Sequence, residues 1–366
     1  MKKIVMGLAA AACAASMFAV DISSTVKMDT TIVGGDKDKV EFLKVNHKDQ
    51  KDSDALIFSA NIDDKAGGNF QFWYTFDGTD STSGGAPVSA SDNNPVRIRS
   101  VNVWFKPISQ IKVTVGNIAM DSYKEQIFWW HGVYGAKPGS WGAFGGNYIE
   151  GVGAKAEITP IDGLLIEAGI FPGIDTAFLS TAENYGYKGY GAKVKYNFGV
   201  GSATVIFADK GKDAQKLLGV GADFTGVDGL YAFANFNLNL SKDGIAGLSL
   251  DDYIKYSVDA FTVQAHLPFV MYKDGDKFVP GILATVKVSY ALDACTPYFM
   301  ATTEPDGDAG WVLNDSFSFS MTFQPGVTFN VGAAAFDLAA RIDVAAPKGA
   351  DATVTWKVPC AITVGL

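Results

Sequence analysis

Apolar and polar residues alternate strictly along several segments of this chain, and the longest such run covers residues 317–331. Every odd position in the run is apolar, from Phe317 to Val331, whereas the even positions are serine, threonine, glutamine, glycine or asparagine. A period of two separates two faces of a β-strand, but in a helix it would distribute the apolar residues around the whole surface. The run is therefore predicted to be a strand with one apolar face.

The same alternation recurs between Leu230 and Leu240 and again between Val354 and Leu366 at the C-terminus. Shorter runs of the same kind lie at residues 70–76, 101–105, 111–115 and 336–344. Nearly every segment between turns fits this pattern, so we predict an all-β fold.

Turn residues then join the predicted strands into hairpins. The segment Ala156–Leu164 has a counterpart in Ala222–Leu230, and each contains a five-residue turn, with Pro160 or Gly226 early and Asp-Gly at its end. These residues favour tight reversals of the chain. The odd turn length also keeps the apolar face on the same side of both strands.

Counting such strands predicts one antiparallel sheet of about 16 strands, in a range of about 14 to 18. Short turns alternate with longer polar links, such as residues 79–94, 209–216 and 302–310. Short turns at one end and long loops at the other are typical of bacterial outer-membrane β-barrels. We therefore predict a single transmembrane β-barrel formed by residues 20–366.

The N-terminus resembles an export signal. Lys2 and Lys3 precede an apolar run from Ile4 to Ala15, and small residues follow up to Ala19. This anatomy predicts a signal peptide over residues 1–19. Lipidation of Cys13 is the alternative, but the apolar residues 14–20 behind it are atypical of an anchored chain. The remaining chain has no apolar stretch long enough for a membrane-spanning helix.

The signal peptide, the hairpin rhythm, the glycine-rich strands and the last strand that runs to the terminus together resemble the bacterial general porins. The resemblance covers the whole mature chain, although it ends on Leu366 where these barrels usually end on an aromatic residue. It implies an outer-membrane barrel with short periplasmic turns and long external loops, surrounded by outer-membrane lipid. It also implies passive diffusion of small hydrophilic solutes or ions, and a homotrimer is an assembly that such proteins often form.

Charged residues lie opposite the apolar stripes, in the middle of predicted strands. Such charges are costly when they face lipid, and a water-filled lumen explains them. The candidate pore-lining residues are Arg97, Arg99, Lys155, Lys193, Lys195, Lys255, Lys287, Arg341, Glu167 and Asp337. Of these, Arg97, Arg99, Lys193 and Lys195 are predicted to form a basic ladder.

The segment of residues 121–147 is a candidate constriction loop. It carries the acids Asp121 and Glu125 and aromatic residues that include Trp129 and Trp130. The resemblance implies a loop folded into the barrel, with its acids facing the basic wall. The alternative is an exposed lid beside a solvated wall.

Composition excludes several other functions. The chain carries 30 lysines and arginines against 39 aspartates and glutamates, and this acidic balance argues against nucleic acid as a partner. His47, His131 and His266 lack metal-ligand spacing, and no catalytic or cofactor-binding motif occurs. We therefore predict no enzyme and no cofactor. Cys295 and Cys360 are interpreted as small strand residues, with a single disulfide as the alternative.

A secreted or surface-attached all-β binding protein is the competing hypothesis. A β-sandwich or β-helix also shows alternation, but it predicts short strands and a water-soluble chain. Transmembrane strands need roughly 9–11 residues, and several of the runs reach that length.

Overall fold

The computed structural model describes residues 19–45, 55–62, 64–74, 96–121, 147–171, 189–209, 216–241, 243–274, 276–282, 284–303, 311–312 and 318–365. Within these ranges all regular structure is β-strand, as the alternation predicts. No helix among the described residues is long and apolar enough to cross a membrane.

The strand segments belong to one sheet and are antiparallel to their neighbours. They are β1 (Ala19–Gly35), β2 (Val40–Val45), β3 (Ala55–Ile62), β4 (Ala66–Tyr74), β5 (Val96–Ile108), β6 (Ile111–Asp121), β7 (Asn147–Ile158), β8 (Leu164–Phe171), β9 (Gly189–Asn197), β10 (Gly201–Asp209), β11 (Lys216–Phe224), β12 (Leu230–Ser241), β13 (Gly244–Val258), β14 (Phe261–His266), β15 (Phe269–Asp274), β16 (Lys277–Ile282), β17 (Thr285–Tyr290), β18 (Thr296–Thr302), β19 (Trp311–Val312), β20 (Phe319–Val331), β21 (Ala334–Ala339), β22 (Arg341–Ala346) and β23 (Thr353–Gly365).

The sheet closes into a ring because the first segment pairs with the last, from Thr25 opposite Gly365 to Gly35 opposite Trp356. Five pairs of segments lie end to end beside a common neighbour, and each pair forms one barrel strand: β2 with β3, β14 with β15, β16 with β17, β18 with β19, and β21 with β22. The 23 described segments therefore make 18 barrel strands. This number is above the predicted value of about 16 and equals the upper limit of the predicted range.

Short turns lie at one end of the ring, which we call the turn rim. Its eight turns contain two to five residues each, at 63–65, 109–110, 159–163, 198–200, 225–229, 259–260, 291–295 and 332–333. Connections at the opposite end, the loop rim, include the three longest, at residues 75–95, 122–146 and 172–188. Two connections of the loop rim, at residues 242–243 and 275–276, are as short as the turns, so the predicted alternation of short and long connections is present only in part.

Apolar residues are exposed on the outside of the ring, and polar residues are buried inside it. On β12, Phe236 is 45% exposed, whereas its neighbours Asn235 and Asn237 are 0% exposed. Among the described residues, buried polar or charged side chains outnumber buried apolar ones, fifteen to nine. A water-soluble protein shows the opposite distribution, so this outer surface is suited to hydrocarbon. This distribution of side chains disagrees with the competing hypothesis of a secreted, water-soluble β-sandwich or β-helix.

Three neighbouring barrel strands are interrupted at one level of the wall. Pro268 separates β14 from β15, residues 283–284 separate β16 from β17, and residues 303–310 separate β18 from β19. Side chains satisfy the backbone there: Leu267 N donates to Asp252 Oδ1 at 2.9 Å, and Ala284 N donates to Thr303 Oγ1 at 3.0 Å. The predicted link at residues 302–310 thus interrupts one barrel strand and joins no hairpin.

The repeated turns have the predicted position, since β7 ends at Ile158 before β8, and β11 ends at Phe224 before β12. Gly229 closes the second of these turns with φ of 74°, and a Cβ there would lie 2.0 Å from the carbonyl oxygen of Ser257. Gly199 has φ of 92°, but a Cβ there meets nothing within 4 Å.

We expect Gly229→Ala to lower the free energy of unfolding by about 1–2 kcal/mol more than Gly199→Ala. Both variants share the cost of a left-handed backbone, and the first adds a collision with the next hairpin. Urea unfolding in lipid vesicles measures the difference. Equal losses would contradict the close contact at Gly229.

Candidate functional site

The inner face of the barrel wall carries most of the predicted pore-lining residues. Cross-strand register places Glu167 opposite Lys193, Lys255 opposite Gln264, and Asp337 opposite Thr328. The cross-strand register does not shift at these positions, so residues two apart share this face. Eight of the predicted residues lie on it: Lys155, Glu167, Lys193, Lys195, Lys255, Lys287, Asp337 and Arg341.

Five charged residues form a continuous row on β6 to β9, which we call the charge ladder. Its members are Lys112, Glu157, Lys155, Glu167 and Lys193. The distances from ammonium nitrogen to carboxylate oxygen along the row are 3.4, 3.6, 3.2 and 3.0 Å. The row begins beside the turn rim and ends in the middle of β9, so positive and negative charges alternate up to mid-wall.

The next lysine along the inner face of β9, Lys195, forms an ion pair with an aspartate of β11. Lys195 Nζ lies 3.9 Å from Asp223 Oδ2, and Ser202 donates both its backbone N–H and its hydroxyl to the same carboxylate. Together with the charge ladder, this pairing means that Lys193 and Lys195 do not present a purely basic surface. The predicted ladder is therefore not purely basic at these two positions, because Glu167 lies beside Lys193 and Asp223 lies beside Lys195.

The lysine of β17 belongs to a third group. Lys287 Nζ lies 4.2 Å from the centroid of the Tyr298 ring, close enough for a cation–π interaction. The Tyr298 hydroxyl donates to Asp337 Oδ1 at 2.9 Å and accepts from Gln324 Nε2 at 3.1 Å. Thr328 Oγ1 also donates to Asp337, at 2.7 Å. Tyr298 thus connects the predicted residues Lys287 and Asp337.

Buried polar residues continue this face around the barrel. His266 Nε2 lies 2.8 Å from Asp251 Oδ1, and Thr285 Oγ1 lies 2.8 Å from Thr302 Oγ1. Asp343 accepts from Arg341 Nε at 2.7 Å and from the hydroxyl of Thr322. Asp251 and the paired threonines were not among the candidate residues, although their position in the alternation identifies them.

Solvent reaches this face unevenly. Asn237 and Thr285 are fully buried, whereas the side chains of Lys112 and Lys195 are 38% and 43% exposed. The charged residues of this face therefore differ in their access to solvent, and Glu167 is only 2% exposed. Exposed lysines of this face lie at Lys112 and Lys195, and at Lys255 on β13.

Known proteins resemble the chain in structure. No protein-family model matches the sequence, and no curated protein matches it significantly. A BenF-like porin from Pseudomonas fluorescens Pf-5 superposes with a TM-score of 0.57 at 11% identity, covering 95% of this chain and 99% of that one. The outer membrane protein OpdK from Pseudomonas aeruginosa gives 0.55 at 10% identity, covering 94% and 99%. OccK2 (OpdF) from the same species gives 0.56 at 10% identity, covering 95% and 97%.

The chain has the fold of an outer-membrane porin. Because nearly the full length of each chain is covered, the likeness extends to the whole barrel. At this identity it concerns the fold, and the wall residues of this porin fold are assigned from their own geometry.

Two predicted wall residues, Arg97 and Arg99, lie on β5 of the porin fold, where the alternation fails. The register against β4 shifts between Gln71 and Phe72, so that Ser100 pairs with Gln71 but Ile98 pairs with Phe72. Arg99 is the extra residue of this bulge, and a common face for the two arginines no longer follows from their spacing. Of the candidate constriction loop, Asp121 ends β6, whereas Glu125, Trp129 and Trp130 lie outside the described residues.

No disulfide occurs in the described part of the porin fold. Cys360 lies on β23 as predicted, but Cys295 lies in the turn of residues 291–295 rather than on a strand. The described residues also contain no group of three histidine, cysteine or acidic side chains that could hold a metal ion.

Proposed function

We propose that this protein is an outer-membrane channel for the passive diffusion of small polar solutes or ions. The observation that carries the proposal is the inverted distribution of side chains, with apolar residues outside a closed ring and charges inside it. Backbone groups unpaired in hydrocarbon cost several kcal/mol each, so a strand-built membrane protein must close its sheet. The pairing of β1 with β23 meets that requirement.

Diffusion through such a barrel requires no covalent step, which agrees with the interpretation that the chain is not an enzyme. Polar wall groups replace part of the hydration of a passing solute, and the local charge then decides which ions pass. In the described part of the wall, several basic side chains each lie beside an acid, as Lys195 does with Asp223 and Arg341 with Asp343. We infer a channel that admits solutes of either sign, with selectivity decided by a few positions.

The orientation follows from the porin fold by analogy. We propose that the turn rim faces the periplasm and the loop rim the exterior, that residues 1–19 are a signal peptide, and that outer-membrane lipid surrounds the apolar face. A homotrimer is an assembly consistent with the resemblance to porins. OpdK has been crystallised with vanillate, and for this chain the proposed solutes are small and polar without further assignment.

Single-channel recording tests the proposal. We expect residues 20–366, refolded into a planar bilayer, to give stable ohmic conductance steps, and we expect boiled protein to give none. Heat-modifiable migration on a gel reports barrel formation in the same preparation. A chain that stays folded and soluble without detergent and gives no steps would contradict the proposal and favour the secreted binding protein.

A further inference from the structure

The charge ladder has an acid at its centre that differs from the other described acids of the wall. Glu167 accepts two lysines at once, with Lys155 Nζ at 3.2 Å from Oε1 and Lys193 Nζ at 3.0 Å from Oε2. Its side chain is 2% exposed, whereas the side chains of the two lysines are 15% and 12% exposed. The carboxylate therefore lies behind the ammonium groups, which keep contact with solvent.

Other acids of the wall occupy weaker positions. Asp343 neutralises one arginine, and Asp223 lies 3.9 Å from one lysine. Glu157 also lies between two lysines, but at 3.4 and 3.6 Å and with 23% of its side chain exposed. Solvent and salt screen a buried charge much less than an exposed one. Among the described wall acids, Glu167 combines the closest double pairing with the deepest burial.

The position of Glu167 along the wall also matters. It lies on β8 beside the middle of β9, inside the span of the barrel and away from both rims. An ion passing this level meets a low-dielectric wall, where a fixed charge acts over a longer distance than in bulk water. Lys155 and Lys193 attract anions at this level, and Glu167 opposes that attraction.

We propose that Glu167 sets the ion preference of the channel by balancing Lys155 and Lys193. This inference rests on the proposed channel function. With the carboxylate present, the five groups of the charge ladder carry one net positive charge, because Glu157 also lies 3.6 Å from Lys155. Its replacement by the isosteric glutamine raises the net charge of the charge ladder to two positive charges and converts a weakly selective channel into an anion-preferring one.

Reversal potentials in a potassium chloride gradient test the role of Glu167. We expect Glu167→Gln to raise the chloride-to-potassium permeability ratio about threefold, the effect of one added charge at about 10 Å in a mostly aqueous path. Asp162→Asn is the matched control, because it also removes one negative charge but lies in the exposed turn of residues 159–163. We expect this control to leave the ratio unchanged.

A second variant covers the case in which Glu167→Gln does not form a heat-modifiable barrel. Lys193→Gln leaves Glu167 paired with Lys155, and we expect it to lower the same ratio about threefold. A ratio unchanged in the folded variants, or changed equally by Asp162→Asn, would overturn the role of Glu167 while leaving the channel intact. A wild-type protein that gives no conductance steps would instead overturn the channel function itself.

Discussion

Val220→Arg is expected to lower the free energy of unfolding of the barrel in lipid by about 2–4 kcal/mol. Val220 lies in the middle of β11, on the outer face, and is 48% exposed. If that face contacts hydrocarbon, an arginine there must lose water without gaining a partner. Chemical unfolding in phospholipid vesicles, followed by gel mobility, measures the loss.

Val227→Arg is the matched control for this prediction. Val227 is a valine of nearly the same exposure, 51%, but it lies in the turn of residues 225–229 at the turn rim. Near the interface the cost of an arginine falls to about 0–1 kcal/mol. If the two variants lost the same stability, position relative to a bilayer would have no effect, and the outer face of β11 would not contact hydrocarbon.

Asp343→Ala is expected to lower the free energy of unfolding by about 3 kcal/mol. Asp343 accepts from Arg341 and Thr322, and the side chains of the arginine and the aspartate are 14% and 12% exposed. Removal of the carboxylate leaves the guanidinium without this counter-charge in a mostly buried site. The loss exceeds that of an exposed ion pair, which contributes about 0–1 kcal/mol.

The double variant Arg341→Met/Asp343→Ala separates lost pairing from lost packing. Because it removes both charges, it is expected to recover most of the stability that Asp343→Ala loses. The same vesicle unfolding assay measures both variants. A double variant as unstable as the single one would show that the carboxylate acts through packing or through Thr322 rather than by neutralising Arg341.

Alternation along the chain was sufficient to predict which face of each strand is apolar. On β12 and β23, residues such as Phe236 and Trp356 are exposed as the parity predicts. The repeated turns of residues 159–163 and 225–229 were equally clear, because proline, glycine and aspartate in a short segment have few alternatives to a reversal. Both signals are local, and the structure confirms both.

The number of barrel strands was harder to predict than their faces. Pro268 and residues 303–310 interrupt barrel strands whose register with their neighbours resumes beyond the break. An interruption resembles a turn in the sequence, since both lack alternation. The bulge at Arg99 also makes the alternation unreliable as a guide to side-chain direction, because one extra residue moves the following side chains to the opposite face of the strand.

The sequence by itself determined that the chain forms amphipathic β-strands, joined by short turns, with charges on the face opposite the apolar one. Only the tertiary structure decided that the described segments close into a ring of 18 barrel strands and that Glu167 lies between two lysines of its wall. The reason is physical: parity depends on residues two positions apart, whereas ring closure and the pairing of Glu167 with Lys155 and Lys193 depend on register between strands. Register is fixed by the packing of the whole sheet, and no local pattern specifies it.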